Sequence, residues 1–264
     1  MIIVKTLKIM LNETYKGLLI AWNYKFETFL QLVMMGVIFI GIGFIIGGGK
    51  LSTEKLAYTL VGYSIWLYSS IVISGMCREL LGEAQAGTLE QIFMSPVSVS
   101  LILIGRSFST LITATINILL FMIVIVWGME INISVPWRTL VIFVLTMAGL
   151  FGFGFVIAGL TLIFKRVGEL AGLTANALLF LNGSMLPVEQ FPKWLALFAK
   201  TLPTTQGISL LRDTLLDMKL LNDLWQDGSL ILLCCQSIIY FGGGLLIFIL
   251  CVRRAKLQGT LGHY

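Results

Sequence analysis

Charge is what this chain has least of. Lysine, arginine, aspartate and glutamate make up 12% of its 264 residues, against 58% hydrophobic, where a soluble domain carries about a quarter charged residues. A mean hydropathy of +0.96 belongs to a chain that lives in lipid. Histidine is nearly missing. His263, next to the C-terminal residue, has no carboxylate near it in sequence, so no acid–base dyad can be built on it. No aspartate falls within an apolar run, which excludes intramembrane proteolysis by paired aspartates. No Gly-rich loop leads into Lys and Ser/Thr. Gly47-Gly48-Gly49-Lys50 has the wrong spacing to cradle a phosphate and reads as a flexible span exit. The chain therefore has no means of hydrolysing ATP or peptides by itself, and it is not expected to be an enzyme. Cys77, Cys234, Cys235 and Cys251 show neither metal nor disulfide spacing, and they read as apolar packing residues. No cofactor or metal is expected on this chain. The span middles are almost free of ionisable groups, which argues against proton- or ion-coupled carriage.

What is present is a series of apolar runs, at 26–47, 57–77, 99–127, 139–164, 168–186 and 228–252. Each is near or above the roughly 20 residues that cross a bilayer. The expected fold class is an all-α polytopic membrane protein with six transmembrane helices, forming one domain over 1–264. Residues 1–25 mix Lys5, Lys8, Lys16 and Lys25 with Leu7, Leu11, Leu18 and Trp22. That suits a helix lying in the interface; the plainer alternative is a basic flank of the first span. No apolar core with a cleavage site follows the first lysines, so a cleaved signal is not expected.

Six spans put both termini on one side, and the positive-inside rule says which. With the termini inside, the inner segments collect Lys5, Lys8, Lys16, Lys25, Arg78, Arg106, Lys165, Arg166, Arg253, Arg254 and Lys256. The outer ones hold Lys50, Lys55, Arg138, Lys193, Lys200, Arg212 and Lys219. Eleven against seven places both termini in the cytoplasm, with the chain in the plasma (inner) membrane. The net charge of +5 thus sets orientation among lipids, and no nucleic-acid partner is expected. The stretch 187–227 is then external. Pro187, Pro192 and Pro203 forbid a full span there, yet Phe191, Trp194, Leu195 and Phe198 are too apolar for a solvated loop. Short re-entrant helices fit, provided protein buries their broken ends.

Between the second and third runs lies a polar island, 79–96, ELLGEAQAGTLEQIFMSP. Thr88 and Gln91 have capping-box spacing, Gly87 permits a sharp reversal, and Ser95 caps a following helix that opens with Pro96. The spacing predicts a short, stiff helix from Thr88 to Met94 at the cytoplasmic surface. On the second span, Thr59, Tyr63, Trp66, Ser70 and Ser74 recur at helical spacing. On the fifth, Asn176 and Asn182 stand among Gly172, Ala175, Gly183 and Ser184. One reading has Tyr63, Trp66, Ser70, Asn176 and Asn182 lining a substrate path between subunits. The other is interhelical packing by small and polar residues. The fourth span, with Gly149, Gly152, Gly154 and Gly159, reads as packing alone.

The island resembles a known pattern. Glu83-Ala84-Gln85-Ala86-Gly87-Thr88-Leu89-Glu90, then Ser95-Pro96 and Gly105-Arg106, is similar to the type-2 ATP-binding-cassette permease family, the membrane subunits of type V exporters. A second stretch carries Gly183, Pro187, Phe191-Pro192, Trp194-Leu195, Leu202-Pro203 and Leu211-Arg212 in the family's order. The resemblance implies a permease half that pairs with a second copy or a homologous subunit and binds two cytoplasmic ATPase subunits, which hold ATP and Mg. It implies that the island is a coupling helix, with Glu83, Gly87, Thr88, Leu89, Glu90 and Gln91 facing the ATPase. It also implies that Pro187, Phe191, Pro192 and Pro203 belong to re-entrant helices capping the exit. No ATPase and no large extracellular module is fused within these residues. An alternative from another class is a membrane assembly or immunity factor that sequesters a hydrophobic peptide without pumping it.

Overall fold

In lipid a backbone without internal hydrogen bonds is too costly, so long apolar stretches free of proline become helices. The computed structural model describes residues 15, 19, 23, 25–50, 52–85, 87, 94, 99–131, 133–164 and 168–258. Among them all regular structure is helical. In chain order come α1 (Lys25–Ile46), α2 (Thr53–Gln85), α3 (Val99–Gly128), α4 (Arg138–Ile163) and α5 (Gly168–Leu181). A 3-10 turn at Val188–Gln190 leads into α6 (Lys193–Thr201), α7 (Pro203–Leu215), α8 (Leu221–Gln226) and α9 (Ser229–Gln258). Five of these, α1, α2, α3, α4 and α9, are long and apolar enough to cross a membrane. The chain is an all-helical, multi-pass membrane protein.

Two expectations need correction. The fifth apolar run, 168–186, is not one helix. Helix α5 has 14 residues, about 21 Å at 1.5 Å per residue, short of the ~30 Å hydrocarbon core. Its last turn closes with Asn182 N bonded to Leu178 O at 3.0 Å, and Gly183 then turns away at φ 77°, as glycine does just past a helix end. Asn182 therefore lies in a turn beyond the helix. The second run is longer than expected. Helix α2 has 33 residues, because no proline lies between Cys77 and Gln85, so 79–85 continues the helix and is not loop. Gly87, at φ 69°, marks the reversal.

Helix α2 is the central post. Its apolar window is 78% buried within the chain, against 17% for α1, because α1, α3, α4, α5 and α7 all pack against it. Its buried face carries Leu60, Val61, Ile65, Val72, Ile73 and Met76. Helix α4 packs against both α2 and α9. Glycine permits the tightest approach there. A Cβ on Gly152 would strike the Tyr240 backbone, and one on Gly244 would strike Gly152 itself. Small residues bring helix backbones together where lipid offers no hydrophobic drive. Packing is thus the role of the small residues on span four.

Candidate functional site

Two ends of α2 carry the polar chemistry. At one end, Glu83 and Arg106 form an ion pair at 2.6 Å, each side chain partly exposed. It ties the end of α2 to the start of α3 and so fixes both stems of the polar island. Glu83 is therefore engaged within the chain, and its expected contact with an ATPase competes with Arg106. Thr88, Leu89, Glu90 and Gln91 lie outside the described residues. Of the short helix expected there, only Met94, an exposed turn residue, is described.

The expected path residues do not share one surface. Tyr63 is fully buried inside a single chain. Its ring meets Phe39, Trp66 and Phe121 at centroid distances of 5.7, 5.3 and 5.8 Å, and its hydroxyl donates to Met35 O at 3.2 Å. The reading of Tyr63 as facing a cavity is corrected: its hydroxyl has a backbone partner on α1, so the residue satisfies itself within the core. Trp66 does reach the fifth apolar run, its indole N–H donating to Ala175 O at 2.9 Å. Ser70 is half-buried and Asn176 exposed. Asn182 is buried, and its Oδ1 accepts from the Ser184 backbone N at 3.1 Å.

At the other end of α2 a cavity of about 850 Å³ opens, lined among others by Tyr58, Asn182, Glu189, Thr205, Arg212 and Asp213. The prolines shape this region. Pro187 precedes the 3-10 turn, Pro192 precedes α6 and Pro203 opens α7, each where a missing N–H is no loss; Phe191 closes the 3-10 turn. Asn182 Nδ2 and Thr205 Oγ1 are buried without a hydrogen-bond partner, so the cavity wall keeps hydrogen-bonding capacity in reserve. Charge at its mouth is mixed, with Glu54, Lys55, Lys200 and Asp217. Asp213 is paired with Lys219 at 3.1 Å.

Sequence reasoning missed Arg212 as more than an external charge. It is buried, and its guanidinium joins three segments of the chain. The signal was present: Ile208, Arg212 and Leu215 fall on one face of α7 by their spacing of four and three residues, and Ile208 and Leu215 are core.

Five long apolar helices packed into one bundle define a multi-pass membrane protein. A family model described as "ABC-2 type transporter" matches residues 8–216, most of the sequence, and the chain belongs to that family. It is similar to the proteins named "Probable multidrug ABC transporter permease YbhR" of Escherichia coli strain K12 and of Escherichia coli O157:H7. Each is 28% identical over 117 residues, 43% of this chain and 31% of the relative. The match thus spans about a third of the length of these relatives.

Proposed function

We propose that this chain is the transmembrane permease subunit of an ATP-driven exporter, working with separate cytoplasmic ATPase subunits that bind ATP and Mg. The observation that carries this reading is the family match over 8–216, laid on five helices fit to cross a membrane. Together α5 and the bent chain after it make the sixth crossing, which puts both termini in the cytoplasm. A second copy, or a homologous permease, completes the path, with Trp66, Ser70 and Asn176 toward it. The segment 187–227 caps the exit, and Thr88–Met94 is the coupling helix. The name carried by the E. coli relatives makes drugs the first cargo to try.

Affinity purification from the native membrane is expected to bring down an ABC-type ATPase. Inverted vesicles holding the complex should accumulate hydrophobic dyes only with ATP present. An isolated permease with no ATPase partner, and no ATP-dependent movement of any compound in a broad panel, overturns the reading.

A further inference from the structure

A helix that stops inside lipid frees backbone carbonyls where water is scarce, and each one left unpaired is costly. A buried helix end carries the same cost, and chain 182–184, just past α5, is buried. Arg212 of α7 meets the freed groups. Its Nη1 donates to Gly183 O at 2.8 Å and its Nη2 to Ser184 O at 3.1 Å, while Nε donates to Tyr58 O on α2 at 3.1 Å. The guanidinium carbon lies 3.4 Å from the centre of the Tyr58 ring, a cation–π stack. Among the described residues no carboxylate lies within ion-pair distance of it. Its charge faces the carbonyl end of α5, the negative pole of that helix. Burial lowers its pKa to about 10, which leaves it charged at neutral pH.

The seam is closed from the other side as well. Ser184 Oγ lies 2.9 Å from Gly62 O on α2 and 2.6 Å from Asn182 Oδ1, so its one hydroxyl hydrogen serves two acceptors. A Cβ on Gly62 would lie 2.5 Å from Ser184 O and 2.6 Å from Arg212 Nη2. No methyl group fits between α2, the 182–186 turn and the guanidinium.

We infer that Arg212 is a positioning residue, a clamp that fixes the 182–215 segment to one end of α2 so that they move as one body when the exit opens. Pulling them apart would break the Arg212 Nε–Tyr58 O bond, the stack on Tyr58 and the Ser184 Oγ–Gly62 O bond, whereas seams held by apolar contacts alone can slide. The motion, and the placing of this end outside, rest on the exporter reading. The clamp itself does not.

The test places spin labels at Lys55 and Gln190, both exposed, in a protein freed of its native cysteines. The parent should give one narrow distance distribution. That distribution should be unchanged when the complex with its ATPase is trapped with ATP. Arg212→Gln should broaden it and lower ATP-driven transport roughly tenfold, the ratio that corresponds to one charge-assisted hydrogen bond. Arg212→Lys should fall between, since an ammonium lacks the fork that spans separate carbonyls. Gly62→Ala, which keeps the charge but forces the seam, should reproduce the broadening. The double variant should be no worse than Arg212→Gln, because both break one contact. A parent distance that shifts with ATP overturns co-movement. A narrow distribution and parent transport in Arg212→Gln overturn the clamp, and if that variant fails to reach the membrane, Gly62→Ala decides the same question. Absence of ATP-driven transport in the parent sinks the exporter reading instead, while the nucleotide-free distributions still decide the clamp.

Discussion

Tyr63 and Trp66 are neighbours on α2 with rings 5.3 Å apart, yet their polar atoms point to different helices. The Tyr63 hydroxyl serves α1 and the Trp66 indole serves α5. Both polar atoms thus have backbone partners inside the chain, which spacing alone does not reveal, because period tells which face a side chain occupies and not whether its polar atom has a partner. Tyr63→Phe is expected to lower the melting point in detergent by the equivalent of about 1 kcal/mol, one neutral hydrogen bond, and to leave the range of transported compounds as it was. Ser70→Ala and Asn176→Ala should leave the melting point alone and alter transport selectivity. If Tyr63→Phe changes selectivity instead, the tyrosine faces cargo after all. Arg212 teaches the complementary lesson. Counting it with the external charges ignored that its helix places it beside Ile208 and Leu215, on a face that must be buried.

At the scale of elements, helix existence was legible, and helix ends were legible only where polarity changes at them. Runs one, three and four fall within a residue of α1, α3 and α4, since the change from apolar to polar residues marks those ends. Run two failed at its end because Arg78 through Gln85 is polar yet a good helix former; polarity ends a span but not a helix. Run five failed because the Asn182-Gly183-Ser184 turn, which ends the helix, was counted within the span. The island between α2 and α3 is held at both stems by the Glu83–Arg106 pair. The coupling helix proposed between such stems would pass a push onward, where a slack loop would absorb it. If the proposed helix is there, Thr88→Ala with Gln91→Ala removes caps worth roughly 1 kcal/mol each. The pair is expected to lower substrate-stimulated ATP hydrolysis while assembly of the complex stays intact. Glu90→Lys should weaken ATPase association, read by co-purification, more than it alters melting. Normal ATPase binding and parent transport rates in both variants would remove this helix from the coupling route.

At the scale of the whole molecule, the apolar windows of α1, α3 and α9 are mostly bare in the single chain, each about one-fifth buried. Faces of this size need lipid or a second subunit against them. The orientation expected from the distribution of Lys and Arg has a direct check. In a cysteine-free background, Lys55→Cys should react with a membrane-impermeant maleimide on intact cells, and Arg253→Cys only after permeabilisation. The reverse pattern would turn the molecule over and make the clamp cytoplasmic. Along the central post, Gly62 and Glu83 stand 21 residues apart on one helix with no proline between them, about 32 Å along its axis. Both polar fastenings grip the same rod, so it behaves as a lever. A tilt of about 10° around its midpoint carries the two grips about 3 Å in opposite directions, and a nudge received at one face of the bilayer arrives at the other with its sign reversed.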